Sequence, residues 1–432
     1  MGDGGASFLE RLLPSEGVES PGELGKWRVQ GRAPDGVAFP ADLDQARAVL
    51  RVARERRCTV VPAGRGPVVN VPAPISPPTI VLSTGRWGGV KRYEPADLTL
   101  RVESGALLET LDGITREHGQ WLALDPPGAP GRTVGSVLAS GVGGPWSGSF
   151  GAPRDQVLGL GLLQGDGTHL RLGGDVVKNV AGFDLVRLVV GSRGSLGLIT
   201  DASLRLHPAP EVDRTLTVPV EGVEEGVDAL KAVQGLLLPL AAVELLLPSP
   251  GGNTGSAGGV LAVRIMGWTA AVDRMSEKVA ESLGGWEAVS VLEEQEGRAL
   301  FREAGAREAS SSFSVRVTVP SGAREEAVAW VHGLARRGSS APWVHLSGLS
   351  EVLRMGIAGG GGPDPKLPSP DVWTHFLRTA REGGAGVRVL HAPDELRWPG
   401  VPSGVDPVAH ALSTGIRDTF DPWGILPGVP RP

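Results

Sequence analysis

The amino-acid sequence predicts an α+β protein in which a glycine-rich first domain precedes a second α+β domain built on an antiparallel sheet. Its 432 residues are more than a single small module needs for a hydrophobic core. Apolar residues make up 41% and charged residues 21%, as is usual for globular proteins. Strand patterns and helix patterns follow one another along the chain, which indicates the α+β class.

The chain begins with residues 1–36, which we expect to form a partly ordered arm. Its amphipathic turn carries four apolar side chains, Phe8, Leu9, Leu12 and Leu13. From Asp42 onward, apolar residues recur at helical spacing, which predicts a helix of about four turns with Asp42 as its N-cap. A β-branched strand over 58–61 follows, and the glycines and prolines of 62–67 end it.

Two further patterns belong to the first domain. A strand of alternating leucine and valine over 98–102 leads into a predicted helix over 106–118. The run 157–164 is predicted to be a strand that ends in a hairpin turn at Gly165-Asp166-Gly167, because an Asp-Gly pair adopts the positive φ of such turns.

After Pro210 the glycine clusters stop and a regular alternation of strands and helices begins. The predicted strands are 240–247, 260–266, 313–319 and 343–346. The predicted helices are 270–283, 323–335 and, after a Gly/Pro loop at 359–370, a last helix near 407–420. We therefore divide the chain into an arm, a first domain, a second domain and a C-terminal segment, with bounds 1–36, 37–210, 211–405 and 406–432.

Charge and cysteine content exclude several classes of protein. The formal charge of −6 provides no attraction for a polyanion, so nucleic-acid binding is not predicted. The single cysteine, Cys58, excludes an internal disulfide, a Cys-ligated zinc site and an iron–sulfur cluster held by this chain. The longest apolar run, 235–247, is too short to span a bilayer, and the N-terminus lacks a basic region typical of a signal peptide. We expect a cytoplasmic protein without a transmembrane segment.

Four glycine-rich segments could bring backbone N–H groups together around an anion. They are 63–66, 132–136, 140–144 and 191–197. Taken together, they indicate a cofactor that carries a diphosphate, although each alone is also compatible with ordinary turns. No segment has the pattern of a Rossmann dinucleotide site or of a Walker A loop.

The order and spacing of several motifs resemble the FAD-binding domain of the PCMH-type, vanillyl-alcohol-oxidase-like flavoproteins. The motifs include DPP at 125–127, TVGS at 133–136, RDQVLG at 154–159, VKNVAGFDL at 177–185 and GSRGSLGLIT at 191–200. The VKNVAGFDL block and YEPADL at 93–98 are most similar to the FAD-binding E-type subunit of bacterial glycolate oxidase. The resemblance implies a two-lobed FAD-binding domain, a cap domain with an antiparallel sheet, and FAD between them.

The same resemblance assigns cofactor-binding roles to particular residues. The first phosphate loop would contain Gly64, Arg65 and Gly66. The central loop would contain Thr133, Val134, Gly135, Ser136, Gly141 and Gly143. The adenine half of the cofactor would lie near Gly194, Gly197 and Ile199. Four further residues have two open interpretations each: Lys178 and Asn179 as a cofactor motif or a surface segment, and Arg154 and Asp155 as a structural ion pair or a clamp.

Two positions depart from the family pattern. Pro67 follows the first phosphate loop and has no N–H to donate, a loss for which the Arg65 guanidinium could compensate. Leu426 replaces an asparagine expected near the flavin.

The resemblance implies a FAD-binding subunit of a glycolate oxidase-like complex that oxidises a small 2-hydroxy acid, with non-covalent FAD. The histidines of the second domain have no metal-ligand spacing, so neither a metal site nor a catalytic base is predicted. The implied partners are a D-type FAD subunit and an iron–sulfur subunit. Two alternatives stay open: a flavin-free assembly subunit, and a free-standing FAD-dependent dehydrogenase.

Overall fold

A computed structural model describes residues 5–66, 68–69, 75–128, 131–174, 183–247, 258–320, 343–358, 369–391 and 407–428. Within these ranges, helices α1 to α11 are Gly5–Leu12, Leu43–Glu55, Leu108–Arg116, Val134–Ser140, Ser147–Phe150, Leu185–Val189, Val223–Gly235, Thr269–Ser282, Glu294–Ala309, Pro370–Glu382 and Pro407–Phe420. Strands β1 to β20 are Arg28–Val29, Gly36–Ala38, Thr59–Ala63, Val68–Val69, Thr79–Ser83, Val90–Glu94, Thr99–Glu103, Gln120–Trp121, Val157–Leu163, His169–Gly173, Leu198–Arg205, His207–Pro208, Val212–Val220, Ala242–Leu247, Gly259–Gly267, Ser290–Leu292, Ser311–Thr318, Trp343–Ser347, Val352–Ala358 and Gly386–His391. We call 5–210 with 407–428 the first part, and 211–391 the second part.

The first part contains two main sheets. One is parallel, in the order β2-β5-β3, and the other is antiparallel, in the order β10-β9-β11-β7-β6. Helix α2 lies against the parallel sheet and buries the apolar side chains of Ala46, Val49 and Leu50. Its N-terminus is as predicted, because the Asp42 carboxylate accepts a hydrogen bond of 2.8 Å from the backbone N–H of Gln45.

The antiparallel sheet confirms the predicted hairpin. Strands β9 and β10 pair through five residues on each side, and the turn lies at 164–168. Strand β11 pairs with both β9 and β7, so it forms the centre of the sheet. Buried Leu100, Leu162 and Leu204 belong to one core, against which helix α4 packs.

The second part forms one eight-stranded sheet in the order β16-β13-β15-β14-β18-β19-β17-β20. Its described strand pairings are antiparallel, as predicted. One face is apolar, and residues such as Leu245, Val263 and Phe313 form a core under α7, α8 and α10. The α+β class predicted from the sequence is confirmed.

The opposite face of the eight-stranded sheet is polar and is buried against the first part. Side chains alternate along β14, so Glu244 lies opposite the apolar face to which Val243 and Leu245 belong. Arg354 pairs with Glu244 on this face. Arg264 donates from Nε to Oδ1 of Asp213 at 2.7 Å, and its guanidinium lies 5.1 Å from the ring centroid of Trp146 in the first part.

Both ends of the described chain pack on the first part. We expected 1–36 to be a partly ordered arm, but Phe8 and Leu9 of α1 are buried in the same core as α2, because its apolar turn covers that helix. At the other end, the carbonyl of Ile425 accepts a hydrogen bond of 2.7 Å from the N–H of Val60.

Some predicted elements have no counterpart among the described residues. The helix predicted over 323–335 and nearly all of the loop predicted over 359–370 lie outside those residues. Helix α9 was not predicted from the sequence, because charged residues surround its few apolar positions. No described helix has the length and hydrophobicity required to cross a bilayer.

The C-terminal turn yields a test of stability. Buried Asp421 accepts hydrogen bonds from the backbone N–H groups of Ile425, at 3.2 Å, and Leu426, at 2.8 Å. Asp421→Ala would leave both N–H groups without this acceptor, so we expect the free energy of unfolding to fall by about 1–3 kcal/mol in urea titrations. Asp418→Ala, at an exposed position of α11, which ends one residue before Asp421, is the control and should change the free energy of unfolding little. Equal effects of the two variants would contradict the role of Asp421.

Candidate cofactor site

A cavity of about 550 Å³ lies where the first part meets the second part. The first part contributes Pro62, Ala63, Gly64, Arg65, Gly66, Thr84, Pro127, Gly128, Gly131, Arg132, Thr133, Gly135, Ser136, Ala139, Ser140, Val142, Arg193, Gly194, Gly197, Leu198 and Ile199. The second part contributes Glu308, Ala309, Ser311 and Leu390. The cavity is therefore built mainly from the glycine-rich segments and is closed by α9, β17 and β20.

The loop after β3 approaches the start of α4 very closely. A Cβ atom at Gly64 would lie 2.4 Å from Oγ1 of Thr133, so the position has no room for a side chain. Thr133 is the N-cap of α4, and its Oγ1 accepts a hydrogen bond of 3.3 Å from the N–H of Ser136. Because Gly64 has no side chain, the backbone of the loop after β3 can lie directly against Thr133, the N-cap of α4, at the cavity wall.

The backbone N–H groups at the cavity differ in their availability. Within the described residues, those of Gly64, Arg65 and Gly66 donate to no acceptor. The sequence also predicted that segment 132–136 could bring N–H groups together around an anion, but two of these groups are already bonded. The N–H of Val134 donates to the carbonyl of Ala106 at 2.9 Å, and that of Gly135 donates to the carbonyl of Ser104 at 2.7 Å, because the start of α4 docks on the residues between β7 and α3.

Arginine side chains give the cavity a positive wall. Arg65, Arg132 and Arg193 all line it. Arg132 donates from Nη2 to the Ser136 carbonyl at 2.8 Å and to Oγ of Ser140 at 3.0 Å. Burial lowers the pKa of Arg132 to about 10, so its guanidinium stays charged at neutral pH.

One carboxyl group faces these arginines from the second part. Glu308, near the end of α9, lines the cavity and is only 1% exposed. Burial raises its pKa, an effect that nearby Arg354, Arg316 and Arg132 partly oppose. No sequence pattern distinguishes this residue, since it is one of several glutamates in a charged helix.

The structure brings many of the predicted cofactor-binding residues together. Those that line the cavity are Gly64, Arg65, Gly66, Thr133, Gly135, Ser136, Gly194, Gly197 and Ile199. Sequence reasoning did not select several other lining residues, such as Thr84, Leu390 and Glu308, because they come from segments without a glycine pattern. Lys178, Asn179 and Pro67 lie outside the described residues.

Other predicted residues do not line the cavity: Val134, Gly141, Gly143, Arg154 and Asp155. Val134 is buried in the core beneath α4. Gly141 ends α4 with a φ of 62°, and the carbonyl of Gly143 accepts a hydrogen bond of 3.1 Å from Arg316 of the second part.

Of the two interpretations of Arg154 and Asp155, the ion pair between them is not formed in the described structure. Oδ1 of Asp155 lies instead 3.0 Å from Nη2 of Arg187 in α6. The carboxylate has this orientation because its other oxygen accepts a hydrogen bond from the N–H of Ala152. Leu426 is not among the cavity residues either, since it is buried at the C-terminal turn.

A second cavity of about 290 Å³ shares Pro127 and Gly128 with the first. Four arginines line it: Arg264, Arg298, Arg302 and Arg354. Asp125 and His345 also line it. Burial raises the pKa of Asp125 to about 7 and holds that of His345 well below its usual value.

Comparison with known proteins gives matches in both sequence and fold. Residues 34–173 match the family model described as "FAD binding domain". The chain is 26% identical to glycolate oxidase subunit GlcD of Bacillus subtilis (strain 168), over 91% of this chain and 88% of that protein. It is 42% identical to glycolate oxidase subunit GlcE of Escherichia coli (strain K12), over 30% of this chain and 37% of that protein.

Two solved structures share the fold. p-Cresol methylhydroxylase with substrate bound has a TM-score of 0.75 at 16% identity, covering 96% of this chain and 94% of that one. Alkyldihydroxyacetonephosphate synthase has a TM-score of 0.70 at 14% identity, covering 97% and 84%.

The two-part α+β fold is shared with p-cresol methylhydroxylase, and the cavity where the parts meet is lined mainly by glycine-rich segments. The chain resembles PCMH-type FAD-binding proteins, since residues 34–173 match a FAD-binding domain and the chain is similar to glycolate oxidase subunits.

The close approach at Gly64 can be tested on the protein alone. Gly64→Ala would force a shift of the loop or of Thr133, so we expect a loss of about 1–3 kcal/mol in the free energy of unfolding. Gly66→Ala is the matched control, because a Cβ there meets nothing within 4 Å. Chemical denaturation measures both variants. If they lose the same stability, close approach is not the constraint at Gly64.

Proposed function

We propose that this chain is a FAD-binding oxidoreductase subunit of the glycolate oxidase and D-lactate dehydrogenase type, which holds FAD non-covalently. The observation that carries the proposal is the first cavity, whose arginine-rich wall includes Gly64, Arg65 and Gly66, with backbone N–H groups that have no acceptor among the described residues. Backbone N–H donors together with cations are a combination that suits a diphosphate.

The residues present fit such a cofactor. Gly64, Arg65 and Gly66 would donate to the diphosphate, while Arg193 would add a cation at the same wall. No histidine, cysteine or tyrosine lines the cavity in the described part of the chain, which supports non-covalent binding. When bound, FAD supplies a two-electron acceptor for a hydride from a 2-hydroxy acid, whose product is the 2-oxo acid.

We further propose that the chain works with partners, namely a D-type FAD subunit and an iron–sulfur subunit. Its similarity to glycolate oxidase subunits GlcD and GlcE supports this assembly. Because the chain has one cysteine, an iron–sulfur cluster for onward electron transfer would have to lie on another subunit.

A second candidate function is a dehydrogenase that oxidises its 2-hydroxy acid without partners. The second cavity favours it, because Arg302 at an exposed position and buried Arg354 could attract a carboxylate. A 32% identical relative, D-lactate dehydrogenase of Archaeoglobus fulgidus (strain ATCC 49558 / DSM 4304 / JCM 9628 / NBRC 100126 / VC-16), matches over 48% of this chain and 46% of that protein. Bleaching of the flavin by glycolate or D-lactate in the isolated chain would favour this candidate over the subunit.

The first test is uptake and release of FAD by the purified full chain. We expect about one FAD per chain, measured by visible absorbance after incubation with FAD and desalting, because the lining matches a single dinucleotide. Acid denaturation should release all of it into the supernatant. Protein that takes up no FAD would refute the proposal and favour a flavin-free assembly subunit, whereas flavin retained in the precipitate would refute non-covalent binding.

Two arginines of the sequence prediction provide a matched pair of variants. Arg65→Gln should weaken FAD binding about tenfold, since it removes a cation from the cavity wall. Arg154→Gln should leave the affinity unchanged, because Arg154 is exposed and does not line the cavity. Titration of the flavin fluorescence gives both dissociation constants. An equal loss in both variants would show that general charge, not the site, governs binding.

A further inference from the structure

Glu308 is a buried carboxyl group that has no hydrogen-bond partner in the described structure. It lies in the last turn of α9 and lines the first cavity from the side of the second part. Only 1% of the residue is exposed. Neither Oε1 nor Oε2 is hydrogen-bonded to another described residue. Buried polar side chains nearly always have a partner, so the missing one calls for an explanation.

Three arginines have charges that act on Glu308, and each is bonded to another group, although the buried Nε of Arg354 has no partner in the described structure. Arg132 bonds to Ser136 and Ser140 within the first part. Arg316 donates to the carbonyl of Gly143 at 3.1 Å. Arg354 pairs with Glu244, whose own charge disfavours a second carboxylate nearby. These cations attract Glu308 without bonding to it, so none of them supplies its missing partner.

The contacts around the cavity show where along it Glu308 lies. Gly64 is next to Thr133 and Ser136, at the wall with free N–H groups. Beyond Ser136 comes Arg132, and a Cβ at Gly128 would lie 3.1 Å from Cβ of Ala309, the neighbour of Glu308. Glu308 therefore lies toward the end formed by Gly128 and Arg132.

The charge of Glu308 decides which group of a dinucleotide can lie beside it. A diphosphate would be repelled by an ionised carboxylate and would bring no donor to it. A heteroaromatic ring system with N–H and carbonyl groups on its edge can bond to a carboxylate or to a protonated carboxyl. A ring system of this kind would therefore satisfy Glu308, whereas the diphosphate, in the middle of the dinucleotide, would match the N–H groups of Gly64 and Gly66.

We propose that Glu308 is the residue by which the second part hydrogen-bonds the ring system of the bound flavin. This inference rests on the proposed function. It makes the second part a direct ligand of the cofactor and not merely a cover over it. It also explains why the protein keeps an unpartnered carboxyl at this position, since the partner arrives with the cofactor.

Two variants of the full chain test the proposal. Glu308→Leu should weaken the binding of FAD and of riboflavin, which has the ring but no diphosphate, about tenfold each. It should leave the binding of ADP, which has the diphosphate but no flavin ring, unchanged. Glu308→Gln keeps a donor and an acceptor, so it should bind FAD within a few-fold of the unaltered chain. Titration calorimetry measures all three probes.

Thermal stability provides a second readout. If Glu308 only stabilised the packing of the two parts, its replacement would lower the Tm, whereas the proposal predicts a higher Tm. Glu308→Leu removes a buried, unpartnered carboxyl group, so the cofactor-free variant should have a higher Tm than the unaltered chain. Glu303→Leu, at an exposed position on the same helix, is the control and should change neither Tm nor affinity.

The outcomes separate this proposal from the proposed function. If the unaltered chain binds no FAD, both are refuted. If it binds FAD and Glu308→Leu binds FAD and riboflavin equally well, only the role of Glu308 is refuted. Equal weakening of FAD, riboflavin and ADP together with a lower Tm would assign Glu308 to the packing of the two parts, which also overturns the proposal.

Discussion

The buried polar face of the eight-stranded sheet is the constraint on which the arrangement of the molecule depends. Charges removed from water are tolerated only when they are paired or bonded. Arg264 meets this requirement through Asp213, and Arg354 through Glu244. The first part completes the arrangement by packing the ring of Trp146 against Arg264. Because this face consists of charged pairs and not of apolar side chains, the contact between the two parts is electrostatic as well as apolar.

The same face positions the first cavity. Arg316 and Arg388 reach across from the sheet to the carbonyls of Gly143 and Ser140, with bonds of 3.1 and 2.7 Å. These bonds hold the end of α4 against the sheet, and the cavity lies beside that contact. Gly143, which was predicted to bind the cofactor, therefore takes part in the contact between the two parts, whereas Gly135 lines the cavity.

The cavity wall has a division of roles that follows from hydrogen bonding. The start of α4 already uses its N–H groups on Ala106 and Ser104, so it offers shape rather than donors. The loop after β3 keeps its N–H groups free among the described residues because Gly64 lies against the Thr133 side chain, not against a backbone acceptor. Diphosphate binding, as proposed, depends on this loop and on arginine side chains.

The sequence by itself determined the α+β class, the N-cap at Asp42, the β9–β10 hairpin and four of the eight described strands of the second part. These features depend on periodicity and turn chemistry, which are local. Only the tertiary structure decided that the N–H groups of α4 are occupied, that Asp155 pairs with Arg187, and that Glu308 faces the cavity. Each of these depends on which distant segments meet, and a glutamate in a charged helix has no local pattern that distinguishes an exposed position from a buried one without a partner.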